Sequence, residues 1–266
     1  ALVLSRPKCV KRLGGSVLQT IMHKTDPPAI NDPRFLPDVD PVFEYYLVDK
    51  PKLTFESPEH GPFIRAFVRL LEGFLGRHEM EGHYQALKAQ DIDSKMFFRE
   101  AFKLTNITLD GDTSPLADIP KDRPVLFIAN HPFGVIDGLI MCNIALDYAN
   151  DFQVVINSLL CQDRDLVPHF LPIDFSETKE AAKRNVRCKQ LAGKALANGV
   201  PLILFPSGHV STADAPGFGD VFDAPWTTFI AKLVMQYQPT VVPVFFHGKN
   251  TRLFHVASNI AEPFRM

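Results

Sequence analysis

The chain has 266 residues and a mass of 29.8 kDa, of which 46% are hydrophobic and 22% charged, so it can bury a substantial core and global disorder is excluded. A formal net charge of -2 provides no overall basic field, and no nucleic-acid partner is expected. The longest apolar runs, at 125–129 and 202–205, fall far short of the roughly 20 residues a membrane-crossing helix needs.

The first 25 residues carry Arg6, Lys8, Lys11, Arg12 and Lys24 and no acid, leaving 23 basic against 30 acidic residues elsewhere. Interleaved with Leu and Val, this segment fits either a helical extension lying on an anionic bilayer or a solvated tail. Pro27, Pro28, Pro33, Pro37 and Pro41 follow, and each lacks an N–H and restricts its predecessor, so an extended connector is expected to residue 50. From Pro62 the spacing of Phe63, Phe67, Leu70, Leu71, Phe74 and Leu75 predicts an amphipathic helix.

The remainder, taken as one domain over 51–266, alternates strands and helices. Short apolar runs at 125–130, 152–157, 201–205 and 240–246 read as strands, with helices expected at about 135–149, 178–198 and 225–238, the last led by Pro225. The fold class is therefore α/β: a mixed, largely parallel sheet flanked by helices, with a helical, basic N-terminal extension. Cys9, Cys142, Cys161 and Cys188 are scattered without a CxxC pair, so no disulfide framework or zinc ribbon is expected and a reducing compartment fits. The chain opens on Ala rather than Met, consistent with the removal of a few residues.

Several motifs fall away on geometry. His78 and His83 in a zincin-like stretch are five residues apart, which places their rings roughly 140° apart on a helix, too far round to share a metal. There is no GxxxxGK, no GxSxG and no dinucleotide glycine triad, and neither a metal nor a cofactor is expected.

What remains sits at strand ends. The run 125–129 leads directly into Asn130, His131, Pro132, Phe133 and Gly134, with Asp137 and Gly138 close behind. Ligands of open α/β sheets bind at the carboxyl ends of strands. A histidine there, with a carboxylate six residues on, can form a base held by an orienter; alternatively, the two are a turn residue and a helix N-terminal acid. The second strand-end loop holds Phe205, Pro206, Ser207, Gly208, His209 and Ser211, and a third holds His247, Gly248 and Lys249.

In order and spacing, Asn130-His131 with Asp137, Phe205-Pro206-Ser207-Gly208 and Val242-Pro243-Val244 resemble the blocks of the lysophospholipid acyltransferase superfamily, the glycerol-phosphate acyltransferase-like enzymes. Asp223 and Trp226 in the DAPW stretch add to the match. The step from His131 to Asp137 is one residue longer than the family's, and Ser207-Gly208-His209-Val210 stands where the family commonly has Glu-Gly-Thr-Arg. The missing arginine would otherwise suit a phosphate. These departures resemble the hemolysin-labelled subgroup, which includes acyltransferases of ornithine lipids and other phosphorus-free aminolipids.

The resemblance implies O-acylation of a lyso-aminolipid hydroxyl from an acyl thioester, on acyl carrier protein or coenzyme A. His131 would be general base and Asp137 its orienter. Asn130, Phe133, Gly134, Gly138, Phe205, Pro206, Ser207, Gly208, His209, Ser211 and Lys249 would contact substrate, with amides near Gly208 and Gly134 as oxyanion donors. The basic stretch Lys179, Lys183, Arg184, Arg187, Lys189 and Lys194 fits either a docking face for an acidic carrier protein or a solvated helix. A lysophospholipid acceptor and a non-catalytic lipid-binding role are the competing readings. The expected location is cytoplasmic, peripheral on the inner face of the cell membrane.

Overall fold

The structure is a computed structural model that describes residues 40–49, 51, 77–213 and 219–260, together with the backbone of residues 2–9. Most of the basic N-terminal segment, the Pro-rich connector and the helix expected at 62–75 lie outside the described residues. Residues 2–9, expected in a helical extension, instead form strand β1 (Leu2–Cys9).

Seven strands make one sheet. Its centre is β3 (Val125–Ala129), flanked by β6 (Leu202–Leu204) and β9 (Thr240–Phe246), and all these pairings are parallel. Beyond β6 come β4 (Gln153–Asn157) and the edge strand β5 (Phe170–Ile173), also parallel. Beyond β9 lie β1, parallel to it, and β2 (Ile107–Gly111), antiparallel to β1. The order β2-β1-β9-β3-β6-β4-β5 brings the ends of β3, β6 and β9 side by side, so the loops that follow them converge.

Every residue of β3 is buried, as expected for a strand covered on both faces. Alternation divides its side chains. Val125, Phe127 and Ala129 pack with Phe97 and Phe98 of α3 (Ser94–Leu104) and with Ile140–Leu146 of α4 (Val135–Ala149). Leu126 and Ile128 pack instead against Leu191, Ala192 and Leu196 of α5 (Lys179–Ala197) and Leu233 of α6 (Phe229–Tyr237). Caps set the starts: Asp93 Oδ1 accepts the Lys95 and Met96 N–H groups of α3, and Thr178 Oγ1 accepts that of Ala181 in α5. Phenylalanine supplies 22 of the chain's 28 aromatic residues, and Phe97, Phe98, Phe127, Phe152, Phe170, Phe205 and Phe246 are all buried in one core cluster.

The helix expected from Pro225 begins only at Phe229. The intervening groups are committed elsewhere, since the Thr227 N–H donates to Pro206 O and the Trp226 indole to Asp223. Four further elements had weak sequence signals: α2 (Arg77–Lys88), the two-residue hairpin strands β7 (Thr212–Ala213) and β8 (Val221–Phe222), and α7 (Arg252–Ile260).

Residues 40–49 are clamped to α5. Asp40 caps the short α1 (Pro41–Glu44) through the Val42 N–H and accepts Arg187 Nη2 at 2.7 Å. The Arg184 guanidinium lies 3.9 Å from the Tyr45 ring centroid and donates to Tyr46 Oη and Asp174 Oδ2. Burial opposes the charge on Asp174, but hydrogen bonds from Arg184, Ser176 and Tyr46 outweigh it and hold the carboxyl below its usual range.

The buried His169 makes a testable link between fold and pH. Its ring stacks on Phe152 with centroids 4.6 Å apart, and Phe98 meets its edge. Nδ1 lies 3.2 Å from Phe152 O and Nε2 2.8 Å from Ser94 Oγ, which suits a neutral ring donating from one nitrogen and accepting at the other. Burial pushes its pKa down to about 4, although Asp151 Oδ1 comes within 3.9 Å of Nδ1. Below the ordinary value of about 6.5 the unfolded chain takes up a proton that the native ring refuses, so stability falls as pH drops from there toward 4. The loss approaches about 3 kcal/mol. Urea midpoints measured across this window should therefore fall with pH, and His169→Gln should flatten the slope; an unchanged slope in the variant would refute the assignment.

Candidate active site

The site forms where the ends of β3, β6 and β9 meet. Asn130 extends β3 by one side-chain rung: its Nδ2 donates to Phe246 O at 2.9 Å, and its Oδ1 accepts the Phe246 N–H at 2.7 Å. This reciprocal pair joins the loop to the end of β9 and occupies the amide that was expected to meet substrate.

Main-chain bonds then fix His131. Its carbonyl accepts the Ser211 N–H at 2.8 Å, and its own N–H donates to Asp223 Oδ1 at 3.3 Å. Asp223 also accepts Ser211 Oγ on the same oxygen and Trp226 Nε1 on the other, at 3.3 Å. One carboxylate thus gathers three segments around the histidine. Sequence reasoning noted Asp223 only as part of a matching stretch. Its partners lie 92, 12 and 3 residues away, so local spacing does not reveal them.

The side-chain pair forms across a tight reversal. Gly134 has φ of 69° and serves as N-cap of α4, a conformation in which a side chain is strained, and an added Cβ would lie 3.4 Å from Val210 Cγ2. That turn places Asp137, third residue of α4, back over the loop it has just left. Asp137 is fully buried, and its Oδ2 accepts the Phe133 N–H at 2.7 Å. His131 Nδ1 lies 3.2 Å from the same oxygen.

The distance suits a pair, but the N–H direction misses Oδ2, leaving Nδ1 and Asp137 Oδ1 both buried without a hydrogen bond. Such long or poorly aligned contacts are common between His and Asp side chains of ligand-free sites. Burial pushes the Asp137 carboxyl above its usual range, against the lowering influence of His131 and of the Phe133 and Gly134 N–H groups. Beneath the imidazole lies Phe205, with ring centroids 4.0 Å apart and a 30° tilt. Phe205 is thus a platform for the His131 ring, and Phe133, half-buried against the core, supplies its backbone N–H to Asp137.

The second loop turns inward more than its sequence suggests. Ser207 is buried and its Oγ donates to His209 O, while buried Ser211 donates to Asp223. The Pro206 carbonyl accepts the Thr227 N–H. The Gly208 N–H, one of the two amides named as oxyanion donors, donates to Phe205 O, and the other, of Gly134, helps to lower the Asp137 pKa. His209 keeps its ring half-exposed, with Nδ1 3.1 Å from Ser207 O and Phe175 alongside. Gly138 borders open space, and Lys249 is exposed in the loop after β9.

Chemically, this is a partly exposed imidazole beside a buried carboxylate. The carboxylate faces Nδ1, which leaves Nε2 to accept a proton. Cys142, Cys161 and Cys188 are buried and free, and burial pushes each thiol up, so none of the three offers a ready thiolate.

Residues 66–263 match the family described as Acyltransferase. A lyso-glycine lipid O-acyltransferase of Phocaeicola vulgatus is 26% identical over 149 residues, covering 55% of this chain and 50% of that protein. A protein of the same name from Bacteroides thetaiotaomicron is 28% identical over 149 residues, covering 55% of this chain and 52% of its own. The chain spans about half the length of these curated relatives.

Proposed function

The chain belongs to the acyltransferase family, and from that premise we propose that it transfers a fatty acyl group from a thioester to the free hydroxyl of a lyso-aminolipid. The observation that carries this reading is the buried Asp137 carboxylate 3.2 Å from Nδ1 of His131 at the end of β3. His131 Nε2 takes the acceptor hydroxyl's proton as its oxygen attacks the thioester carbonyl. Asp137 balances the imidazolium that results. The tetrahedral intermediate collapses with C–S cleavage, and the departing thiolate recovers the proton from His131. One C–O bond forms, one C–S bond breaks, and no protein nucleophile is consumed.

The aminolipid acceptor is favoured over a lysophospholipid by the loop after β6. Ser207 to Ser211 include no arginine, and both serine hydroxyls are spent inside the protein. The relatives' names favour a glycine headgroup, and the ornithine headgroup is a close chemical variant. The donor is acyl carrier protein in this reading. Arg184 and Arg187 of α5 are committed to Asp174 and Asp40, but Lys179, Lys183, Lys189 and Lys194 stay exposed for an acidic partner.

The reading is tested by offering the purified chain acyl carrier protein or coenzyme A thioesters with lyso-glycine lipid, lyso-ornithine lipid or lysophosphatidic acid. Turnover of an aminolipid at least tenfold faster than of the phospholipid is expected, about what pairing a polar headgroup correctly is worth. Preference for lysophosphatidic acid would replace the aminolipid with a phospholipid acceptor.

A further inference from the structure

The rim of this site exposes aromatic surface that the proposed chemistry does not use. Phe222, the last residue of β8, is 60% exposed, and Trp226 is 52% exposed. They flank Asp223, the carboxylate that holds the His131 backbone. Phe222 lines one shallow depression with Asp220, Val221, Gly248 and Lys249, which brings the β8 end beside the loop after β9. Just before that loop, Phe245 is 46% exposed and its ring meets that of His247.

We infer that Phe222 and Trp226 insert into the lipid interface and seat the mouth of the site on the bilayer. Three observations select a bilayer as the occupant. The Trp226 N–H is already held by Asp223, so moving the indole out of water leaves no donor unpaired. The depression that Phe222 lines is bordered by Lys249 and Asp220, charges of both signs that suit a headgroup layer, and mixtures of Trp, Phe and Lys are typical of interfacial segments. The patch also adjoins the loop of the general base, where an amphiphilic acceptor must arrive. This last point rests on the proposed acyl-transfer reading. Asp223 then joins the anchor to the catalytic loop by two hydrogen bonds, one to the Trp226 indole and one to the His131 N–H.

Trp226 is the sole tryptophan of the chain, so the unlabelled protein reports on its own anchor. Vesicles of phosphatidylcholine and phosphatidylglycerol, free of donor and acceptor, are added to the full chain. The emission should shift to the blue and be quenched by brominated acyl chains, and Phe222→Asp should weaken vesicle co-sedimentation about tenfold. With a water-soluble short-chain acceptor, Phe222→Asp should turn over at the unmodified rate. Emission indifferent to vesicles, or equal sedimentation of Phe222→Asp, would overturn the inference. A blue shift that follows protein concentration without lipid would assign the patch to a second copy and overturn it equally. Since the binding arm contains no reactants, its failure is separable from any failure of acyl transfer.

Discussion

Replacing His131 by alanine should reduce acyl transfer by more than a hundredfold while leaving the fold in place. The ring is partly exposed at the site, and its contacts there are the Phe205 ring and the Asp137 carboxylate. The bonds that position its segment run through its backbone to Ser211 and Asp223 and survive the substitution. What is lost is the group that removes the hydroxyl proton, and general-base removal typically costs about 10²- to 10⁴-fold. Initial rates with a thioester donor, together with circular dichroism and urea midpoints, check both halves. Unchanged turnover in the variant would sink the mechanism, because the hydroxyl proton would then have to leave by a group other than His131. A glutamine at the same position should be equally inactive, because it matches the ring in reach but carries no comparable base.

The second large effect separates activity from stability at Asp137. Asp137→Asn keeps an oxygen where the Phe133 N–H and Nδ1 both meet Oδ2, but removes the negative charge beside the ring. The imidazolium formed when Nε2 takes the proton then lacks its counter-charge, so turnover should fall about 10²- to 10⁴-fold.

Stability should move the other way or not at all. Burial raises the native Asp137 pKa above its unfolded value of about 3.9, so the folded state binds the proton more readily. Stability therefore declines as pH rises from the unfolded pKa through the native one, and above both the full cost of the buried charge is present. The Asp137→Asn substitution removes that cost, and urea midpoints at neutral pH should be equal to or higher than those of the unmodified chain. Asp137→Ala should instead destabilise the fold by about 1–3 kcal/mol, because the Phe133 N–H loses its acceptor inside the protein. A stable, inactive Asn variant beside an unstable Ala variant would mark Asp137 as an electrostatic orienter as well as a cap.

Much of this site was legible in the residues. Periodicity and strand-length apolar runs located β3, β4, β6 and β9 closely, because each is buried and apolar enough to stand out. The pairing of His131 with Asp137 was readable because both partners lie within one loop and helix start. Less legible were β5, with Pro172 inside it, and the two-residue β7–β8 hairpin, whose signals are too short to rise above turn chemistry. The start of α6 was misplaced because Pro225 is a good first-turn residue locally, whereas Trp226 and Thr227 are held by Asp223 and Pro206.

The roles of the polar loop residues divided along the same line. Composition placed serines, histidines and glycines at the ends of β3 and β6, but could not say which of their groups the protein itself would use. Folding decided that Asn130 completes a rung with Phe246, that Ser207 and Ser211 point their hydroxyls inward, and that Gly208 closes a turn on Phe205. It also brought Asp223 from 92 residues away to the His131 N–H. The α/β class, the strand-end loops and the nearness of His131 to Asp137 follow from local pattern, because hydrophobic periodicity and short-range geometry are written along the chain. Which donors and acceptors remain for a substrate depends on long-range hydrogen bonds, and those exist only once the ends of β3, β6 and β9 stand side by side.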